Sequence, residues 1–440
     1  MRDILLSVIV FGSLPFILFG PRLGAYMWVW MSMMNPHRLG WGFARYYPFA
    51  QLIAIATLVG FIFVSKERKP FPLSAITVAY LLFFVWMSVT SLFAIAPSDL
   101  VMDRWIFVCK IHLMLLVTLM LIRGRDQIEK LVWVVTLSIG FYGIKGGVWT
   151  VLTGGGDRVW GPEGSMIEDN NGLGLAIVML IPFMYYLYQV SSKRLIRIGV
   201  ACSGIAMFCS VLGSQSRGAF LALFAMALML AIKSRRPALM GLLLGAVFVV
   251  GFVSMPDSWK ARMGTIETHQ QDSSAQSRFY SWNTMWNLAV DRPLVGGGFL
   301  PDNDIVYSLY APVDRGYEIF ERKPYVAHSI YFQVIGEHGF LGLFLYLLIG
   351  FFAWRRAGQL ARQTRDDPEF GTWVPVLMRM TQVSVLGFAV GGAFLSLVHF
   401  DLSYYIISYV ILVDITVREH NRQNKSAKQN LNKTMHFDAP

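Results

Sequence analysis

Long apolar stretches recur along the whole of this 440-residue sequence, and they constrain its fold more than any other feature. A run of about 18 or more apolar residues can cross a hydrocarbon layer roughly 30 Å thick as a helix. Only 15% of the residues are charged, against about a quarter in soluble domains. We therefore predict an all-α polytopic membrane protein with about twelve transmembrane helices.

The predicted membrane segments form two groups that one long loop separates. Nine lie within residues 1–254, three lie within residues 327–417, and residues 255–326 connect the two groups. Residues 418–440 form a polar tail that we predict to be cytoplasmic and disordered. The first segment is broken at Gly20-Pro21, where Pro21 could instead mark a hairpin. The predicted segments are 4–34, 47–65, 71–95, 102–123, 128–152, 172–191, 194–213, 217–233, 236–254, 327–354, 374–398 and 401–417.

Basic residues are concentrated in alternate loops. In an arrangement of about twelve helices they share one face, which the positive-inside rule assigns to the cytoplasm together with both termini. The net charge of +11 therefore indicates membrane anchoring rather than nucleic-acid binding. The clustered residues are Lys66, Arg68, Lys69, Arg123, Arg125, Lys130, Lys193, Arg194, Arg197, Lys233, Arg235, Arg236, Arg355, Arg356, Arg362, Arg365, Arg418, Arg422, Lys425, Lys428 and Lys433.

The long loop, residues 255–326, is predicted to lie outside the cytoplasm, because long loops are translocated regardless of their charge. Connectors of this length are uncommon and indicate a functional or lid-like segment. The loop contains a predicted amphipathic helix near Ser277–Val290. Its Asp302-Asn-Asp304 sequence has the form of a metal–nucleotide clamp, but we interpret it as a turn.

Several polar residues lie near the outer ends of the predicted segments. Ionisable residues inside a membrane usually face a cavity and mark a substrate or ion path. For Lys110 alone, snorkelling to the interface is the alternative explanation. These residues lie at a similar depth in the membrane, which favours one shared cavity. The cavity would be positively charged, Arg278 of the loop would add to this charge, and a phosphate group would suit it. The residues concerned are Lys110, Lys145, Arg217, His328, His399 and Asp401.

Signatures of nucleotide and metal sites are missing from the sequence. There is no Walker A pattern, and no cluster of His, Cys or acidic residues has the sequence spacing of metal ligands. The three cysteines lie in apolar runs, so we predict no disulfide framework. We therefore expect neither a metal nor an organic cofactor.

Four motifs lie on and around the long loop. They are Asp169-Asn-Asn-Gly172, Ser214-Gln-Ser-Arg-Gly218, Ser277-Arg278-x3-Trp282 with Arg292-Pro-Leu-Val-Gly-Gly-Gly298, and Ala327-His328-Ser-Ile-Tyr-Phe-Gln333 with Gly336-Glu-His-Gly339. These motifs resemble those of the O-antigen ligase and polymerase family, whose members are bacterial membrane glycosyltransferases. Ser329 stands where that family often has Asn.

The resemblance implies a glycan on undecaprenyl diphosphate as the donor, and transfer to an acceptor hydroxyl at the periplasmic face of the bacterial inner membrane. The acceptor would be a sugar of the lipid A core in an O-antigen ligase, which is our first expectation. It would be another glycan unit in an O-antigen or exopolysaccharide polymerase, and a protein Ser or Thr in an O-oligosaccharyltransferase. The expected partners are the donor, the acceptor and membrane lipids, with no nucleic acid.

The chemistry then needs a base for the acceptor hydroxyl and a clamp for the departing diphosphate. His328 is the candidate base, since an imidazole titrates near neutrality. Arg217 and Arg278 are the candidate clamp, with Lys110 and Lys145 as its neighbours. A direct displacement of this kind inverts the anomeric centre.

Other roles remain open at this stage. His338 is the second candidate for the base, and His328 could merely cap its helix. Asp401, Trp282 and Asn170 could orient the base or bind the acceptor, although aromatic residues at membrane edges are usually interfacial anchors. A secondary transporter is the alternative class, but transporters usually show internal repeats and midplane sites, and neither is evident here.

Overall fold

The computed structural model describes residues 1–66, 68–234, 236–257, 259–260, 273–312 and 322–437, without the side chains of residues 273–274 and 427–437. Over these residues the regular structure is helical and contains no strands. The helices are α1 (Arg2–Phe19), α2 (Pro21–Met34), α3 (Phe49–Val59), α4 (Ala75–Ser91), α5 (Ser98–Leu121), α6 (Gly124–Leu152), α7 (Asn170–Val190), α8 (Arg194–Gly213), α9 (Arg217–Lys233), α10 (Pro237–Ser254), α11 (Ser273–Asp291), α12 (Asp304–Tyr310), α13 (Ile330–Gln363), α14 (Trp373–Gly391) and α15 (Asp401–Phe437).

Many of these helices have the dimensions of membrane spans. Within the described residues, eight are long and apolar enough to cross a bilayer. Two shorter apolar helices, Phe49–Val64 and Ala75–Ser91, lie among them. The prediction of an all-α membrane protein is thus confirmed, whereas the count of about twelve spans and the periplasmic placement of the long loop remain predictions.

The first two helices form an antiparallel hairpin. Gly20 between them leaves the helical conformation with φ −132° and ψ 76°, and Pro21 begins α2. At the far end of α1, Asp3 Oδ1 accepts hydrogen bonds from the backbone N–H groups of Gly42 and Ala44, each over 3.2 Å. The start of α1 therefore lies beside the segment that follows α2, so the hairpin at Pro21 replaces the single broken span over residues 4–34.

This hairpin places the N-terminus at the end of the bundle opposite to the predicted one. Its turn lies among basic residues, which share a cavity of about 530 Å³. We call this the basic end, and it includes residues that the sequence assigns to the cytoplasmic face. The basic residues that line the cavity are Arg22, Lys66, Lys69 and Arg123.

The opposite end, which we call the loop end, is where the segments between helices meet. The guanidinium of Arg45 lies 2.6 Å from the carboxylate of Glu163, and Ile95 N–H donates to the Gly297 carbonyl over 2.8 Å. The helix predicted near Ser277–Val290 is part of α11. The segments that meet at the loop end are 35–48, 92–97, 153–169, 214–216, 292–303, 322–329 and 392–400.

Helix α13 is broken at Gly339, where φ is 68° and ψ is −173°. The glycine-rich part of the long loop occupies the break, because Gly297 N–H donates to the Gly336 carbonyl over 2.7 Å. Phe340 N–H likewise donates to the Pro293 carbonyl over 2.8 Å. A side chain at position 339 would meet the backbone of this loop, and its positive φ is easy only for glycine. The glycine motif thus fixes the bend in α13.

The C-terminal helix α15 continues to Phe437, so the tail predicted to be disordered from residue 418 is helical there. Near the basic end, the buried carboxylate of Asp414 lies 2.5 Å from the guanidinium of Arg356 on α13. It also lies 2.6 Å from the guanidinium of Arg418, one turn along α15. This charge network holds α13 and α15 together.

Candidate functional site

Three helices, α7, α9 and α13, begin close together at the loop end. Asn170, the first residue of α7, donates from Nδ2 to the Ser214 carbonyl over 2.6 Å, just before α9. The first turns of α9 and α13 are brought together by a short 3-10 helix, Gly392–Phe394. Helix N-termini carry partial positive charge. Their convergence therefore creates a region suited to an anion.

The turn between α8 and α9 explains the polar Ser-Gln-Ser sequence before Arg217. Gln215 adopts a left-handed backbone conformation with φ 53°. Its Nε2 donates to the carbonyls of Gly155 and Gly156, each over 3.2 Å. Ser216 caps α9 by accepting from Ala219 N–H over 3.2 Å. These bonds fix the direction in which α9 starts.

Arg217, the first residue of α9, is half-buried at this convergence. A side chain at the next position, Gly218, would touch Phe394. A side chain at Gly392, two residues before Phe394, would touch Ile330 at the start of α13. Arg217 and His328 are therefore on neighbouring helix starts.

His328 lies on the segment that α11 holds against the start of α13. The indole Nε1 of Trp282 donates to the Ala327 carbonyl over 2.6 Å, and its ring stacks on Phe332 with centroids 5.0 Å apart. Ser281 Oγ donates to the Tyr325 carbonyl over 3.1 Å. His328 has a positive φ of 45°, which is uncommon for a residue with a side chain. The α11 contacts hold this conformation.

The electrostatic surroundings of His328 are defined by Arg278 and Asp169. Desolvation in its partly enclosed surroundings lowers the pKa of the ring, and the positive charge of Arg278 lowers it further. The carboxylate of Asp169 opposes both effects. Arg278 lies one helical turn before Trp282 on α11, and so on the same face. The lowered pKa favours the neutral ring, which is the form that a base needs.

The two candidate lysines lie in separate cavities. Lys110 and Asp401 line one of about 510 Å³. Lys145 lines another, of about 590 Å³, together with Arg38 and Arg158. Among their described lining residues, neither cavity includes Arg217, Arg278 or His328. The residues that the sequence placed in a single shared cavity therefore lie in separate places.

Two residues for which the sequence suggested acceptor roles make structural contacts at the site. The side-chain amide of Asn170 is bonded to the turn before α9, and the residue is buried. The indole of Trp282 is bonded and stacked against the His328 segment. Both residues support the geometry of the site, and the aromatic face of Trp282 is occupied by Phe332.

His338, the second candidate base, lies in the interior of the protein. It is 0% exposed, and its Nδ1 lies 2.8 Å from Thr90 Oγ1. Its neighbours Glu337 and His399 are also buried, and their ligand atoms lie together with His338 Nε2 within 4.8 Å of one another. Sequence spacing gave no indication of this three-residue cluster, although the Gly336-Glu-His-Gly339 motif and the polar His399 were each noted.

Two segments of the chain match known families. Residues 202–347 match the O-antigen ligase family, and they include Arg217, Arg278 and His328. The resemblance of the motifs within this range to that family is thereby confirmed, whereas Asp169-Asn-Asn-Gly172 lies outside it. Residues 1–192 match a family of unknown function, DUF5935. No curated protein matches the chain.

Proposed function

Because residues 202–347 match the O-antigen ligase family, we propose that this protein is an O-antigen ligase. It transfers a glycan from undecaprenyl diphosphate to a sugar hydroxyl of the lipid A core, without metal or nucleotide in the reaction. The site at the loop end faces the periplasm in this proposal, and the chain lies in the bacterial inner membrane.

One observation carries the proposal: His328 lies within electrostatic reach of both Arg278 and Asp169, where the starts of α7, α9 and α13 converge. A glycosyl transfer from a diphosphate needs a base and an anion site side by side. The neutral imidazole supplies the first, and the cationic side chains and helix N-termini supply the second.

The proposed step is a direct displacement at the anomeric carbon. The acceptor oxygen forms the new glycosidic bond while the bond to the diphosphate oxygen breaks, and both electrons leave with the diphosphate. His328 accepts the proton of the acceptor hydroxyl. Arg217 and Arg278 stabilise the charge that develops on the leaving group, as fixed electrostatic groups do in a preorganised site.

The burial of His338 favours His328 as the base. A base must reach the hydroxyl that it deprotonates, directly or through one water. His338 is enclosed among Thr90, Glu337 and His399, eight residues beyond the start of α13, which is roughly 12 Å of helix rise. The structure thus supports the first of the two candidates.

Two experiments test the proposed activity. Purified protein should transfer glycan from undecaprenyl diphosphate to lipid A core in detergent without added nucleotide or divalent metal. Loss of the gene in its host should leave lipid A core without glycan. If free polymer or glycoprotein is lost while the lipopolysaccharide is intact, the protein is a polymerase or a protein glycosyltransferase, and the ligase assignment fails.

A further inference from the structure

A buried cluster of three potential metal ligands lies beneath the loop end, apart from His328. It consists of Glu337 and His338 on α13 and His399 before α15. Glu337 Oε2 lies 2.7 Å from His399 Nε2 and 3.4 Å from His338 Nε2. The three residues are at most 4% exposed. Nothing in the proposed glycosyl transfer uses them.

Thr90 contacts the other nitrogen of the His338 ring. Its hydroxyl lies 3.0 Å from the Met87 carbonyl and 2.8 Å from His338 Nδ1. When the hydroxyl donates to Met87, its oxygen accepts from a proton on Nδ1, and the neutral ring then carries a lone pair on Nε2.

This lone pair points towards a negatively charged group. His338 Nε2 has no hydrogen-bond partner among the described residues, although Glu337 Oε2 is only 3.4 Å away. In this tautomer a lone pair faces a carboxylate oxygen in a buried site, which is unfavourable. A metal ion bound by both atoms removes the conflict.

The other atoms of the cluster are already arranged for a metal ion. Glu337 Oε1 accepts a hydrogen bond from Gln333 Nε2 over 2.9 Å, and Gln333 Oε1 in turn accepts from Val398 N–H over 3.3 Å. Oε2 therefore remains directed at the two imidazoles. His399 Nδ1 also lacks a partner within the described part of the chain, so it can carry the proton that leaves Nε2 free to ligate.

We propose that Glu337, His338 and His399 bind one divalent transition-metal ion, with Zn²⁺ the best match. Two imidazoles and one carboxylate are a common zinc ligand set. With Zn–N distances of about 2.0–2.1 Å, tetrahedral ligands lie roughly 3.3 Å apart, close to the 3.4 Å Glu337–His338 separation. The 2.7 Å contact between Glu337 and His399 would lengthen by roughly 0.6 Å when the ion binds. Three protein ligands leave the fourth position to water. This proposal does not depend on the proposed glycosyl transfer.

The ion would join parts of the chain that are distant in sequence. His399 lies 62 residues from Glu337, and Thr90 connects the cluster to α4. Glu337 and His338 also lie directly before the break at Gly339. The ion would therefore fix the part of α13 that lies before the break and directly follows His328. Its effect on transfer is thus one of positioning.

The direct test is the metal content of the full-length protein, purified in detergent on an affinity tag without histidines. Elemental analysis by mass spectrometry should find about one zinc, or another first-row divalent metal, per chain. Glu337→Gln and His338→Asn should each reduce this content severalfold or more. His328→Ala, which changes a histidine outside the cluster, should retain it.

A spectroscopic measurement keeps the test decisive if the cluster variants fail to fold. Wild-type protein stripped with a strong chelator and reloaded with Co²⁺ should show the visible absorption of a four-coordinate site, and its unfolding temperature should rise with Co²⁺ or Zn²⁺. If the wild-type protein contains no stoichiometric metal and stripped protein binds no Co²⁺, the proposal is wrong. Neither readout involves transfer activity, so failure here would leave the proposed function untouched.

Discussion

Trp282 donates a hydrogen bond from its indole nitrogen to the carbonyl oxygen of Ala327 over 2.6 Å. This bond joins α11, in the long loop, to the residue that precedes His328. The ring of Trp282 also stacks on Phe332, one turn into α13. The long loop therefore acts directly on the position of the proposed base.

The first prediction concerns this support. Trp282→Phe keeps an aromatic ring on Phe332 but removes the hydrogen bond, whose net contribution is about 0.5–1.5 kcal/mol. We expect the rate of transfer to fall about threefold to tenfold, with little change in affinity for undecaprenyl diphosphate. Trp286→Phe, at a half-exposed position on the same helix, is the matched control. Equal effects of the two changes on the single-turnover rate would exclude a specific role for Trp282.

The second prediction concerns pH. Burial and Arg278 lower the pKa of His328 below its ordinary value of 6.5, and Asp169 raises it. Only the neutral ring is a base, so transfer should be lost as the pH falls through this lowered pKa. Removing the positive charge with Arg278→Gln should move the acid limb of the normalised rate profile to higher pH. Removing the negative charge with Asp169→Asn should move it to lower pH.

Asp169→Asn is a useful change because asparagine also caps helices well. The caps that Asp169 gives to Asn171 and Gly172 should therefore survive. Arg322→Gln removes an exposed positive charge elsewhere in the long loop and serves as the control. If the acid limb lies at the same pH in both site variants as in the wild type, it does not reflect the protonation of His328.

The third prediction concerns the N-terminal hairpin. Single cysteines are introduced into a chain whose Cys109, Cys202 and Cys209 have been replaced by serine. In intact cells without an outer-membrane barrier, an impermeant maleimide should label Trp41→Cys, at a position that is 89% exposed. It should not label Phe19→Cys beside the turn at Gly20 or Arg422→Cys in α15. Labelling of Arg422→Cys from outside would overturn the assignment of the basic end to the cytoplasm.

The fourth prediction concerns stability at the basic end. Asp414 is 1% exposed and contacts both Arg356 and Arg418. Asp414→Asn should reduce the free energy of unfolding by about 1.5–3 kcal/mol, because charge-assisted hydrogen bonds are lost in a buried position. Asp126→Asn, which breaks an exposed pair with Lys130 on α6, should cost about 0.5 kcal/mol or less. Thermal unfolding in detergent compares the two, and similar losses would argue against a role for the Asp414 network.

The sequence was sufficient to predict the helical membrane fold and the loop end as the place where Arg217 and His328 lie. Both predictions follow from local properties. The length of each apolar stretch determines where a helix forms, and the order of the helices along the chain determines which of them begin at the same end of the bundle. The hairpin at Pro21 was left open because α1 and α2 together have a length that fits either one tilted span or two short ones. Contacts from Asp3 to Gly42 and Ala44 decide between them, and no sequence pattern encodes such contacts.

The Glu337–His338–His399 cluster could not be predicted from the sequence for a related reason. Metal ligands can be recognised from their spacing in the sequence when they lie on one turn or one helix. His399, however, lies on a different segment from Glu337 and His338. Its approach depends on the packing of residues 395–400 against α13. Likewise, the contacts of Asn170 and Trp282 could not be predicted, because they depend on which backbone carbonyl each side chain donates to in the folded chain.

The most direct test of the proposed mechanism is a paired measurement on His328→Ala and Arg217→Ala. Each folded variant is assayed for affinity towards undecaprenyl diphosphate and for single-turnover transfer. His328→Ala should lose transfer by about 10²–10⁴-fold, as expected for a positioned base, and should bind the lipid almost as the wild type does. Arg217→Ala should lose transfer and also bind the lipid more weakly, and Arg217→Lys should restore only part of both, since lysine lacks the bidentate fork. Normal binding and transfer by Arg217→Ala, or normal transfer by His328→Ala, would contradict the mechanism.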